Sequence, residues 1–319
     1  MDVHFNPDKQ HTLSSSILVS GIGIHSGARV TMRLLPSLPG TGYRFQRIDL
    51  PGAPIIQADC DLVIDTFRCT TLAQNGASIS AVEHILAALV GMGVDNCLIE
   101  VNGIEIPTID GSCGPFVKEI EKAGVSEQQV PKAWHNLDTC ITYFDKQKQV
   151  KMAAFPCPDF RLHTLVDFRN GSLKPQLAEL TRMKDFRKQI APARTYCLLH
   201  EMEILLDSNL IRGDILNHAL LVVDGTMSKE DFSRITTKFG LKDAQEDPKG
   251  YLNNLSLRFE NEIARHKLMD TLGDLALIGV PVRTHILSHR PGHSSNVALA
   301  KKIKKYIKEK EESRFKKVA

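Results

Sequence analysis

Apolar and polar positions follow two rhythms along the chain. Across Thr12 to Leu50 they alternate on either side of a glycine-rich turn (TLSSSILVSGIGIHSGARVTMRLLP, then GYRFQRID), which predicts antiparallel strands with one face buried. The turn, Gly21 to Gly27, lacks the G-x-G-x-x-G spacing of a phosphate loop and runs into a strand rather than a helix, so it reads as a bend that carries His25. A helical rhythm begins at SAVEHILAALVGMG, where Ser80 and Glu83 form an S-x-x-E capping box that predicts a helix starting at Ser80. DNCLIEVNG then reads as a strand, EIPTIDGSCG as a loop, and PFVKEIEKAG as a helix with Pro115 in its first turn.

Beyond a polar stretch, VSEQQVPKAWHN, three more strands are predicted at TCITYF, QVKMAAFP and RLHTLVDF. A short helix (HEMEILLDSN), a strand (HALLVVDG), a helix over Arg258 to Leu275, a strand (PVRTHILS) and a final helix complete the chain. The expected organisation is α+β. A first unit spans 1–126, a linker 127–136, a second unit 137–300 and a basic tail 301–319. Within the second unit, 197–224 is rich in Leu and Met, and 226–254 is polar enough to read as a surface insertion. No internal repeat is visible.

Composition narrows the class. Hydrophobic residues at 42% and charged residues at 24% are ordinary for a globular protein, and no apolar run reaches the ~20 residues that span a bilayer. The first residues, MDVHFNPDKQ, contain no basic segment followed by an apolar one, so the expected location is cytoplasmic. Seven scattered cysteines with no C-x-x-C pair argue against a disulfide framework or a thiolate zinc site. The net charge of +3 hides a local excess: 301–319 holds nine Lys/Arg against three Glu, which leaves the rest at about −3. That tail fits weak contact with an anionic membrane surface, or a solvated helix end.

The candidate chemistry lies on the helix over 258–275, where His266, Asp270 and Asp274 follow at steps of four. Such spacing puts an imidazole and a carboxylate above one another, half of a metal site, although a pair of this kind on a polar face is more often simply solvated. Catalytic zinc takes three protein ligands, so a third must come from elsewhere. Glu83 and His84 serve either as helix cap and part-buried histidine or as base and ligand. His285, His289 and His293 are also spaced by four, but Pro291 and Gly292 interrupt any helix through them, so they do not form one metal face.

Taken in order, S-A-V-E-H (80–84), I-P-T-I-D-G-S (106–112), A-R-T-Y (193–196), R-H-K-L-M-D-T-L-G-D-L (265–275) and R-P-G-H-S-S-N (290–296) closely resemble the UDP-3-O-acyl-N-acetylglucosamine deacetylases, the metal-dependent enzymes of the committed step of lipid A synthesis. The resemblance covers nearly the whole chain except 226–254 and the tail. It implies two units of similar topology, each a sheet layered with helices, with the site in the cleft between them. It also implies one Zn²⁺, or Fe²⁺ in the cell, held by His84, His266 and Asp270, with Glu83 as base and His293 as cationic acid oriented by Asp274. Thr195 would hold the oxyanion, Lys267 and Arg290 would meet the nucleotide, and an apolar acyl passage would include Leu199 and Met202. The implied partner is a nucleotide-sugar lipid and no nucleic acid; the expected state is a monomer. Two departures bear on the passage: Tyr196 stands where the family commonly has Phe, and Ile211 to Asp214 lacks the usual paired glycines.

Overall fold

The structure, a computed structural model, describes residues 6–168, 173–202, 215–223, 225, 227–241 and 243–318. The first unit opens with β1 (Lys9–Leu13), β2 (Ile17–Ile22), β3 (Arg29–Pro36), β4 (Tyr43–Arg47) and β5 (Ile55–Gln57). A small sheet of β6 (Val63–Asp65), β7 (Thr71–Gln74) and β8 (Ala77–Ile79) follows, then α1 (Glu83–Gly91), β9 (Cys97–Val101) and α2 (Gly114–Ala123). β9 inserts between β3 and β4 to give the order β2-β3-β9-β4-β5, in which only β4 and β9 are parallel. Parallel neighbours need a long crossover, and the segment containing α1 supplies it.

β10 (Val125–Pro131) pairs antiparallel with β1, so the first half of the stretch expected as linker is a strand. Its polarity reflects a solvent-facing side, while its backbone groups are satisfied by the edge of β1.

The second unit consists of β11 (His135–Asn136), β12 (Ile141–Asp145), β13 (Val150–Pro156), β14 (Arg161–Val166), β15 (Gln176–Leu180), α3 (Phe186–Gln189) and β16 (Tyr196–Leu198). A helix α4 opens at 199 and is described to 202; the rest of the predicted helix, and with it part of the expected acyl passage, lies outside the described residues. Then come α5 (Ile215–His218), β17 (Leu220–Val222), α6 (Lys229–Lys238), α7 (Glu262–Ala276), β18 (Val282–His289) and α8 (His293–Val318). β18 inserts between β13 and β14, giving β12-β13-β18-β14-β15 with β14 and β18 parallel. Strand for strand this is the order of the first unit. In each unit one helix (α1, α7) leads directly into the inserted strand and one (α2, α8) follows it.

The two preceding helices, α1 and α7, pack against each other and carry the core between the sheets. α1 buries Ile85, Leu86, Ala87, Ala88 and Leu89, and α7 is buried on nearly every side. Their approach is close enough that a Cβ on Gly273 would lie 2.0 Å from the Glu83 carbonyl oxygen, so only glycine fits there.

Four further expectations are corrected. Ser80 does not cap α1: it forms a bridge with Glu105 and hydrogen-bonds Thr71, and Ala81 at φ 59° turns the chain so that the helix starts at Glu83. α7 begins at Glu262 rather than Arg258, because the buried Glu262 carboxylate accepts from Arg194 and from the Arg258 N–H and so fixes the turn before the helix. The 226–254 segment is not merely a surface insertion: Ser228 caps α6, and Ile235, Tyr251 and Leu252 are buried. The inner half of the basic tail also belongs to the body. α8 runs through it with Ile303 and Ile307 buried and Lys304 paired with Asp59 and Asp61. Among the described residues no helix is long and apolar enough to cross a membrane.

Candidate metal and acid–base site

The first turn of α1 and the middle of α7 meet at a cavity of about 250 Å³. His84 Nε2 lies 3.5 Å from Asp270 Oδ1, and His266 Nε2 lies 3.4 Å from the same oxygen. The two imidazoles stand edge to face with centroids 5.1 Å apart. His266 Nδ1 sits 3.2 Å from the Ala193 carbonyl, to which it donates as the Nδ1–H tautomer, leaving an Nε2 lone pair turned toward Asp270. Burial lowers the His266 pKa to about 3, which keeps the ring neutral. Asp270 Oδ2 accepts from Lys267 Nζ at 2.8 Å, whereas the buried Oδ1 has no hydrogen-bond partner.

An unpaired buried carboxylate oxygen facing two imidazoles is costly unless a cation joins them. Ligand atoms of these three residues all lie within 4.8 Å of one another. The donor set, two neutral imidazoles and a carboxylate, therefore fits a divalent metal. Burial disfavours the charge on Asp270, but His266 and Lys267 overcome it and hold the carboxyl well below its usual range. Burial likewise opposes the Lys267 charge, and Asp270 more than offsets it.

Beside this triad, Glu83, Asp274 and His293 form a second group with ligand atoms within 4.8 Å. His293, the first residue of α8, donates from Nδ1 to Asp274 Oδ2 at 3.0 Å, and Asn296 Nδ2 donates to the same oxygen at 2.8 Å. Burial opposes the imidazolium, yet the Asp274 and Glu83 carboxylates outweigh it and raise His293 to about 9. The ring is cationic at neutral pH. Glu83 moves the other way from an ordinary exposed carboxylate: burial pushes its pKa up, against the pull of His293. A carboxyl raised in this manner is a stronger proton acceptor when ionised.

Thr195 also lines the cavity, with its N–H donating to Gly111 of the first unit at 2.8 Å. Its neighbour Arg194 is locked to Glu262 by a buried ion pair at 2.9 Å. The structure thus brings Glu83, His84, Thr195, His266, Lys267, Asp270 and His293 to one cavity, with Asp274 directly behind His293. Other expected residues are not brought there. Arg290 is held by Asp167 at 2.6 Å and is not a lining residue. Leu199 and Met202 are fully buried in a small separate core with Ile235 and Leu252, while Tyr196, Cys197 and Leu198 line the cavity on that side.

The residue reading passed over Thr70, which donates from its backbone N–H to Glu83 Oε2 (3.0 Å) and from Oγ1 to Asp274 Oδ1 (2.6 Å), and also Asn296. It missed an ion pair across the cavity between Arg68 and Glu201 at 2.8 Å as well. None of these sits in a periodic pattern, and only the inclusion of Asn296 in the R-P-G-H-S-S-N motif could have signalled it.

Fold and site together define a two-unit α+β protein with a His₂Asp group whose donors fit a metal ion, set against a carboxylate–imidazole–carboxylate group. The sequence matches the UDP-3-O-acyl N-acetylglycosamine deacetylase family over residues 10–239 and 245–305, and the chain belongs to that family. The match takes in most of 226–254, which the motif resemblance had left out. A bifunctional enzyme LpxC/FabZ of Chlorobaculum tepidum is 40% identical over 301 residues, covering 93% of this chain and 64% of its own length. The chain therefore spans just under two thirds of that relative. UDP-3-O-acyl-N-acetylglucosamine deacetylases of Myxococcus xanthus and Trichormus variabilis are 36% and 38% identical, each over 92% of this chain and over 86% and 98% of their own lengths.

Proposed function

We propose that the chain is a zinc-dependent deacetylase that hydrolyses the N-acetyl amide of a UDP-3-O-acyl-N-acetylglucosamine, releasing acetate and the free amine, in lipid A synthesis. The observation that carries this reading is the convergence of His84, His266 and the unpartnered Asp270 Oδ1 beside Glu83 and a cationic His293. Zn²⁺, or Fe²⁺ in the cell, bound by the triad supplies Lewis acidity toward water and the amide carbonyl.

The chain's own residues then divide the proton work. Glu83 accepts a proton from the attacking water, whose oxygen bonds to the acetyl carbon. The Thr195 hydroxyl and the His293 cation stabilise the oxyanion that forms. His293 next delivers a proton to the amide nitrogen as the C–N bond breaks, and Asp274 keeps its ring in the donating orientation. Lys267 is assigned to the charged nucleotide end of the substrate.

Acetate release from UDP-3-O-acyl-N-acetylglucosamine by metal-replete protein tests the reading, and no release from a sample holding one ion per chain overturns it. Glu83→Ala and His293→Ala each lower turnover at least ~100-fold with metal content unchanged. Dialysis against a chelator abolishes activity, and one equivalent of Zn²⁺ restores it.

A further inference from the structure

We propose that Thr70 is a positioning residue that sets the proton acceptor Glu83 and the acid partner Asp274 in register across the junction of the two units; this rests on the deacetylase reading. Thr70 is fully buried. Its backbone N–H donates to Glu83 Oε2 at 3.0 Å, its hydroxyl donates to Asp274 Oδ1 at 2.6 Å, and its carbonyl accepts from Val82 N–H at 3.4 Å. One residue therefore bonds to the start of α1, to the carboxylate on its first turn, and to a carboxylate on α7 of the other unit.

The chemistry follows from where the protons point. A hydroxyl has a single proton, and Thr70 gives it to Asp274 Oδ1, while His293 Nδ1–H and Asn296 Nδ2–H take Oδ2. With both oxygens engaged, the Asp274 carboxylate cannot rotate, and the His293 ring that follows it is held in one orientation. The bond to Glu83 Oε2 assigns that oxygen to Thr70 and leaves Oε1 to take the proton from water. Acid and base thus share a common anchor, and their separation is fixed by one residue, through its backbone N–H and its hydroxyl, rather than by the packing of two helices alone. Small displacements of such groups reduce turnover steeply.

The Thr70→Val variant preserves volume and the N–H bond to Glu83 but deletes the hydroxyl. It lowers kcat about 10- to 100-fold, with KM within about twofold and metal content unchanged. Thr70→Ser, which restores the hydroxyl, returns kcat to within about threefold of the parent. In an Asp274→Ala background, Thr70→Val costs less than about twofold more, because the carboxylate it acts through is already gone. A readout independent of activity is the His293 Nδ1–H proton resonance in the metal-loaded chain, which moves in the Val variant and returns in the Ser variant. Full activity in Thr70→Val, equal losses in Val and Ser variants, or full additivity with Asp274→Ala overturns the proposal. Should the parent chain release no acetate, the functional reading fails, and an unmoved His293 resonance in Thr70→Val then separately refutes the positioning role.

Discussion

The two units share a strand order and one parallel pair, yet they use their helices differently. In the first, α1 is short and contributes Glu83 and His84 from its opening turn. In the second, α7 contributes His266, Lys267, Asp270 and Asp274 over three turns, and the first residue of α8 adds His293. The outer sheet faces are mixed in both. On the first unit, Ser20 is bonded to Thr31 and Arg33 paired with Glu100, beside the exposed Leu18 and Ile22 at 68% and 42%. On the corresponding face of the second unit, Phe144, Leu177 and Leu287 are about half exposed, at 57%, 54% and 42%. One topology therefore supports two chemistries, because the frame depends on the inward-facing apolar residues and leaves helix ends free to differ.

The sharpest way to break this comparison is inside the second unit, which anchors its long helix with a buried ion pair. Glu262→Ala leaves the Arg194 guanidinium buried without its carboxylate, and we expect about 3–5 kcal/mol of destabilisation in urea unfolding. The junction comes next. Gly273→Val drives a side chain into the Glu83 backbone, with an expected loss of about 1–3 kcal/mol and of metal retention together, since α1 must back away from α7. If metal content survives Gly273→Val, the units do not depend on this contact to assemble the triad.

A pH dependence separates the units more gently. His293 is raised from 6.5 to about 9 despite burial, by Asp274 and Glu83, so its contribution to stability is complete below pH 6.5 and is lost as pH rises through about 9. Denaturation midpoints of metal-free protein should fall across that window, and His293→Asn should remove this part of the fall. Least of all should change on the outer face: Leu287→Thr, in a strand and largely solvated, is expected to shift stability by no more than about 0.5 kcal/mol.

Much of the element order was legible, because both periods that mark strands and helices are local. The hairpin around Gly21 to Gly27, β9, α2 and β12 to β14 all form where alternation or helical spacing predicted them. Errors arose where polarity was taken for absence of structure, as at Val125 to Pro131 and within 226–254, and where a local cap signal lost to a long-range bridge, as at Ser80. The shared topology was invisible in residues. Two sheets can use the same strand order with different side chains, provided each strand alternates and each inserted strand is apolar enough to be flanked on both sides.

Consecutive residues were enough to align His266, Asp270 and Asp274, since a helix puts every fourth residue on one face whatever surrounds it. They were also enough to place Glu83 and His84 together near a helix start and His293 after a Pro-Gly turn. What only the folded chain decided was that these groups meet: that Asp270 Oδ1 faces two imidazoles, that His293 lies on Asp274, and that Thr70 reaches Asp274 across 204 residues. Those contacts have no period to betray them, because they are set by the burial of α1 against α7 and by the glycine that lets the two backbones touch.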